Sequence, residues 1–452
     1  MCVERRFFDR IGWSLAPILL MATGAVQATP EIQTWQTPGG ARVLFVAAPE
    51  LPMVDVRVVM DAGSARDGGQ SGLASLTADM LNQGAGDWSA DALADRLEAF
   101  GAKLEATADR DMTVVVLRAL TRQPALDTAV ETLAAVLAAP TFATSDLERI
   151  RENQLVTLRQ EEESPKTVGQ KALYRAIFGA HPYAADPGGT AQTVAALTRA
   201  DLQAFHARYY SRANAVVAIV GALDRAGAES LAERITARLP AGERPSALPE
   251  VPDLTAGSLE PITFPSSQTT VLAGQPGMRR GDPDYFPLYV GNHILGGSGL
   301  VSLLMNEIRE KRGLSYSTFS YFLPLAQPGP FLMGLQTKND QAEQARAVLL
   351  ETLQRFIETG PSEAELTAAR KNLTGGFPLR IASNRDIVQY LAVIGFYGLP
   401  LDYLDRFTAR VEAVTTAQIR DAFARRVHPE RLAIVTVGGQ TDQVSLTRDA
   451  DD

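Results

Sequence analysis

The stretch GLASLTADM, residues 72–80, reads as one short amphipathic helix, entered from the strand-like run VDVRVVMDAG (54–63) through the turn-rich SARDGGQ (64–70). Apolar and polar residues alternate in VDVRVVM, the period of a strand, and the pattern changes after Gly72. The same opening returns as GLVSL at Gly299, inside LGGSGLVSLLMNEIREKRGLSYS (295–317). Two more phrases repeat in the same order: DLERIREN (146–153) as ELTAARKN (365–372), and YYSRANAVVAIVGAL (209–223) as RVHPERLAIVTVGGQ (426–440). All three pairs lie about 220 residues apart, the mark of a duplicated domain. One match would be accident; three in register point to two halves built alike.

Between the halves lies LPAGERPSALPEVPDLTAGSLEP (239–261), whose prolines block helix and central-strand hydrogen bonding and predict an extended linker. The chain therefore divides into a signal segment (1–28), an N-terminal domain (29–238), the linker (239–261), a C-terminal domain (262–442) and a polar tail (443–452). In the first domain Ser89 is placed to cap the helix ADALADRLEAF, which sets Leu93, Leu97 and Phe100 on one face before Gly101 ends it. TVVVLRAL (113–120) and VVAIVG (216–221) read as strands, AVETLAAVLAA (129–139) and residues 147–160 as helices. The second domain repeats the theme with strands QTTVLAG (268–274), FLMGLQT (331–337) and LAIVTVG (432–438) and the helix ARAVLLETLQRFIE (345–358). Strands joined by antiparallel-compatible turns, with clustered helices, make the fold class α+β.

Composition narrows the function. Hydrophobic residues make up 46% and charged residues 21%, values of a globular chain rather than a disordered or polytopic one. A net charge of −9 without any Lys/Arg cluster argues against a nucleic-acid partner, because binding phosphates needs a concentrated basic surface. Arg5, Arg6 and Arg10, the apolar IGWSLAPILLMATGAV and the small residues before Thr29 read as a secretory signal, placing the protein in the periplasm or outside the cell. No later segment reaches the roughly 18 apolar residues of a membrane span. Cys2 is the only cysteine and falls inside that signal, so the mature chain has neither disulfide nor thiolate chemistry.

Taken together, the duplicated halves, GSARDGGQSGLASLTADM (63–80), HPYA (181–184), RYYSRANAVVAIVGA (208–222) and the 295–317 stretch resemble the pitrilysin/insulinase family of inverted-zincin metallopeptidases. The likeness runs from about residue 34 to residue 440, and is strongest to short bacterial members and to the paired subunits of the mitochondrial processing peptidase. It implies two homologous α/β-roll domains, each a mostly antiparallel sheet with packed helices, together forming half of a clamshell. In catalytic members the place of residues 72–80 carries His-x-x-Glu-His: two histidines on one helical face bind zinc, and the glutamate takes a proton from the metal-bound water. Here the resemblance sets Ser75, Ala78 and Asp79 at those positions, and Thr157, within one residue, where the third ligand would be. The chain is therefore expected to hold no metal. Glu161, Glu162 and Glu163 read as a solvated helix end, and His181, His206, His293 and His428 are too scattered to rebuild the site.

More is retained in the second half. The family's arginine and tyrosine, seven residues apart and facing the zinc site across a closed chamber, correspond to Arg309 and Tyr316. A guanidinium and a phenol are both donors suited to a carbonyl oxygen that is gaining charge. The competing reading pairs Arg309 with Glu310 or Glu307 and packs Tyr316 at a strand start. Gly296, Gly297, Ser298 and Gly299 lack a nucleotide-binding fingerprint; the resemblance places them at substrate, and the plainer reading is a tight turn that starts the helix VSLLMNEIRE close to the sheet. Neither Ser75 nor Ser298 has a base beside it for nucleophilic catalysis.

The expectation is a zinc-less subunit, inactive alone, that joins a homologous zinc-binding subunit in a heterodimeric peptidase acting on peptides. Zinc and the general base would come from that partner. A stand-alone peptide-holding module and a structural scaffold are the other readings.

Overall fold

The computed structural model describes residues 31–439; the signal segment at 1–28 and the tail at 443–452 lie outside the described residues. Two sheets form the frame. The first has six strands in the spatial order Gln33–Gln36, Arg42–Ala47, Ala215–Gly221, Met53–Met60, Thr113–Leu120 and Lys103–Ala108. The second has five, in the order Ser258–Thr263, Ala433–Gly439, Ser266–Pro276, Pro330–Lys338 and Thr318–Phe322. In each, one parallel pair precedes an antiparallel run: Arg42–Ala47 with Ala215–Gly221 in the first, Ser258–Thr263 with Ala433–Gly439 in the second. This shared order is the structural form of the repeat, and the mostly antiparallel α+β class is as expected.

The strands expected at 54–60, 113–120, 216–221, 268–274, 331–337 and 432–438 all form, as do the helices at 129–139, 147–160 and 345–358 to within a few residues. Ser89 caps its helix, accepting from Ala92 N, but of the expected apolar face only Leu93 is fully buried. One edge differs from the linker as read. The strand Ser258–Thr263 begins inside residues 239–261, and Pro261 lies within it. A proline is tolerated there because the strand is the outermost of its sheet and pairs on one side only.

Alternation decides what each sheet face buries. Val54, Val56, Val58 and Met60 point into a core shared with Leu73–Met80, Ala125–Ala138 and Arg225–Thr236, helices of the same half. The opposite face, with Leu44, Val46, Val216, Ala218 and Val220, meets a helix of the other half, Asn384–Tyr397, through Ile387, Val388, Leu391 and Ala392. The exchange is mutual. Helix Pro165–Phe178, from the first half, lays Ala172, Leu173 and Ile177 against Leu272, Leu332, Val435 and Val437 of the second sheet. Glycines permit the close approach: a Cβ on Gly395 would stand 2.5 Å from Val216 Cγ1 and 2.6 Å from Leu44 Cδ1.

Buried polar groups stitch the same junction. Asp111, 2% exposed, accepts hydrogen bonds from the Tyr183 hydroxyl of its own half and from Ala326 N (2.7 Å) and the Tyr397 hydroxyl (2.8 Å) of the other. HPYA finds its role here. Tyr183 N donates to His181 Nδ1, so Nε2 carries the proton and donates to Pro249 O at 3.0 Å, strapping the Pro-rich linker across the joint. Gln327 Nε2 adds a bond to Leu248 O.

Candidate functional site

The helix Leu73–Met80 starts at Gly72, whose φ of +95° favours glycine. Asp67 closes its N-terminus, accepting from Gly72 N and Ala74 N at 2.9 Å each. Burial pushes that carboxyl up to about 7, against the lowering pull of the N–H groups. The helix packs against Thr144–Glu162, Arg199–Tyr209 and the strand Lys103–Ala108, all of its own half.

The residues where zinc ligands would stand do not fit a metal. Ala78 is 1% exposed and has no donor. Ser75 supplies only a hydroxyl, a poor zinc ligand. Asp79 is half-buried, and burial alone raises its carboxyl, with no cation beside it. Thr157 is exposed, and its hydroxyl turns back to Asn153 O at 3.1 Å. Among the described residues no three His, Cys, Asp or Glu side chains gather as a metal site.

The acids that follow are engaged elsewhere. Glu161 meets Lys171 at 2.7 Å, and Lys171 also meets Asp186 at 2.8 Å, while Glu162 and Glu163 are exposed. The histidines stand apart from one another, as read. His181 holds the linker, and His206 stacks on Tyr210 at 4.5 Å while bonding Leu137 O. His293 sits beside Asn372 and Arg380, and His428 stands 3.9 Å from Glu430.

Arg309 and Tyr316 do come together. The Arg309 guanidinium carbon lies 4.8 Å over the Tyr316 ring, a cation–π stack, and the ring is 82% exposed rather than packed at the strand start. Of the two competing acids, Glu307 is committed to Lys311 (2.8 Å), Arg312 (2.7 Å) and Arg355 (3.1 Å). Those donors pull its carboxyl down to about 2. Glu310 approaches Arg309 only to 3.6 Å, at an exposed position. Hydrogen bonds among the described residues leave the Tyr316 hydroxyl and most of the Arg309 fork open to a ligand.

The glycine loop is shaped by close approach. A Cβ on Gly296 would stand 2.4 Å from Ser320 Oγ and 2.6 Å from Ser320 N, so the loop lies against the strand Thr318–Phe322. Gly297 is crowded by Asn292, and Gly299 has φ +63°. The helix does not begin at Val301. Residues Gly299–Val301 form a separate turn, Ser302 caps Leu303–Met305, and Leu300 and Val301 are left exposed at the tip. A serine in extended conformation, its hydroxyl oxygen accepting from Met305 N, is the better N-cap, which is why the helix waits for it. The Gly297–Val301 tip and Tyr316 flank the same short helical segment that carries Arg309.

Comparison with known proteins follows these features. Residues 42–190 match the family described as Insulinase (Peptidase family M16), and residues 196–373 match Peptidase M16 inactive domain. An uncharacterized zinc protease of Mycobacterium tuberculosis is 29% identical, covering 90% of this chain and 93% of its own. A non-peptidase homolog of Helicobacter pylori is 27% identical over 82% of this chain and 85% of its own. Among solved structures, the peptidase M16 inactive domain from Pseudomonas fluorescens superposes with a TM-score of 0.88 at 38% identity, covering 91% of this chain and 98% of that one. A protease from Helicobacter pylori gives 0.83 at 19% identity, over 91% and 100%, a likeness of fold.

Proposed function

Because the chain belongs to the insulinase family, peptidase family M16, and the residues at that family's metal-ligand positions do not make a zinc site, we propose that it is the zinc-less subunit of a heterodimeric metallopeptidase. As a non-catalytic member of the family, it would complement a homologous subunit carrying His-x-x-Glu-His. The observation that carries this reading is the contrast between two places in one chain: Ser75, Ala78 and Asp79 make no complete set of metal ligands, while Arg309, half-buried, is stacked on the exposed ring of Tyr316 and has no strong partner among the described residues.

Peptide hydrolysis requires an activated water and donors for the oxygen that becomes negative, and two chains can divide these tasks. In this division the partner supplies zinc and general base. Arg309 offers N–H donors to the substrate carbonyl, and the stacked ring of Tyr316 fixes the guanidinium plane while its hydroxyl adds a second donor. The glycine tip, Gly296 to Gly299, would border the extended peptide. Secretion to the periplasm or exterior is part of the same reading and rests on residues 1–28.

The relatives include one named as a zinc protease and one named as a non-peptidase homolog, so the zinc-less reading rests on the substituted positions of this chain. The test is co-expression with an M16 chain from the same source that carries the intact motif, followed by peptidase assays on each chain and on the mixture. The purified single chain should bind well under one equivalent of zinc and cleave nothing, and the pair should be active. Within the pair, Arg309→Ala should lower kcat about 100-fold and Tyr316→Phe about 10-fold, with co-purification unchanged. Zinc-dependent cleavage by the single chain, or full activity of both variants, would overturn the assignment.

A further inference from the structure

Away from Arg309 and Tyr316, the helices Tyr285–Asn292, Asn384–Tyr397 and Tyr403–Ala413 enclose a two-lobed cavity in the second half. One lobe measures about 170 Å³ and the other about 380 Å³, and Arg280, Tyr285 and Tyr403 line both. The larger lobe alone lies in the size range of small-molecule sites, which begins near 300 Å³.

The lining is chemically unusual for a gap between helices. Arg280 Nε is buried with no hydrogen-bond partner among the described residues, though the guanidinium face rests on Tyr397 at 5.5 Å. Stacking satisfies the face of a guanidinium and leaves its edge donors open. In the larger lobe Arg380 is held by phenols rather than by a carboxylate, donating to the Tyr289 hydroxyl at 2.6 Å and to Tyr390. Tyr285 and Tyr289 stack in parallel, 5.7 Å between ring centres, and make a flat wall. The nearby acids are spoken for: Asp282 pairs with Arg426, and Asp402 with Arg406. Asp386 is the one carboxylate that lines the larger lobe, fixed at its helix start by Ser383.

We infer that this cavity binds a small aromatic carboxylate, its anionic group on the edge of Arg280 and its ring against the Tyr285–Tyr289 wall. The Nε is closed off, so the ligand meets the terminal Nη nitrogens of Arg280, which a carboxylate engages with two parallel hydrogen bonds. Within the larger lobe, where the tyrosine wall lies, Arg280 and Arg380 face Asp386 alone, which leaves room for a single negative charge and selects a monoanion over a phosphate dianion. The flat tyrosine wall selects a ring, through offset or edge contacts. Either a free aromatic acid or the C-terminal carboxylate of a peptide ending in phenylalanine carries this chemistry.

Calorimetric titration of the full chain tests it with 3-phenylpropionate, N-acetyl-Gly-Phe, the C-terminal amide of that dipeptide, and phenyl phosphate at pH 7.5. The expected result is binding of at least one of the two acids with a dissociation constant below about 1 mM, and at least about tenfold weaker binding of the amide. Preference for the dipeptide assigns a peptide terminus, and preference for 3-phenylpropionate assigns a free acid. Arg280→Met and Arg380→Met should each weaken the bound acid by about tenfold or more while the melting temperature of the unliganded chain stays within a few degrees. If one variant fails to fold, the other carries the comparison. No binding of either acid, equal binding of the amide, tighter binding of phenyl phosphate, or unchanged affinity in a folded variant would each overturn the inference.

Discussion

At the scale of single residues, environment decides what a side chain contributes. Glu307 and Glu310 flank Arg309 in the sequence, and both were candidates to neutralise it. The fold gives Glu307 to three other cations, so Arg309 keeps its donors. That assignment has a pH signature. The Glu307 carboxyl is held well below its ordinary value, at about 2, chiefly by its bond from Lys311, so its stabilising contribution is present above about pH 4.5 and is lost as pH falls toward 2. Glu307→Gln should be less stable than the parent at pH 7 and should lose less stability between pH 4.5 and 2, measured by urea unfolding at each pH. Parallel pH profiles for the two proteins would show that the cluster carries no linkage. The zinc positions teach the converse: Ser75, Ala78, Asp79 and Thr157 could be named from the sequence because the motif of the family it resembles has fixed spacing, and tertiary structure adds only that no cluster of ligands forms there among the described residues.

At the scale of elements, six of the eleven strands in the two sheets and a minority of the helices followed from periodicity, since alternation and helical spacing report burial along one segment. Two helices that matter most, Pro165–Phe178 and Asn384–Tyr397, went unread, and both pack on the sheet of the opposite half. Their sequences betray that they are helices only weakly and say nothing of which sheet they cover. Glycine positions make the contact testable. Gly395→Ala gains about 1 kcal/mol of helix propensity but forces a methyl into Val216 and Leu44, an overpacking cost of about 1–3 kcal/mol, so the variant should be the less stable. Gly375→Ala, at an exposed position of the helix Glu363–Gly376 with nothing within 4 Å, should instead stabilise by about 0.5–1 kcal/mol. Chemical denaturation of both variants reads the difference in sign; a stabilised Gly395→Ala would mean the helix does not press on the sheet as described.

At the scale of the whole molecule, the two halves are interlocked rather than tethered. Asp111 concentrates the tie, because its buried carboxyl takes donors from both halves. Asp111→Ala should cost about 2–4 kcal/mol by leaving these donors unpaired, and Tyr397→Phe about 1–2 kcal/mol. The double variant should cost less than the sum of the two, as expected for groups that share one contact; strict additivity would deny the tie. The exposed linker offers a second check. A proteolytic nick within residues 241–256 should leave both fragments co-eluting on gel filtration, whereas a tethered pair of domains would separate. The repeat and the α+β class were determined by the sequence itself, because both are written in local spacing, and the missing zinc motif by residue identity set against the pattern of the family the sequence resembles. The crossed helices, the strap of His181 on Pro249, the Asp111 tie and the arginine–tyrosine cavity were decided only by tertiary structure. Periodicity tells a segment which face must be buried, but the surface that buries it lies hundreds of residues away, and only the folded chain brings the two together.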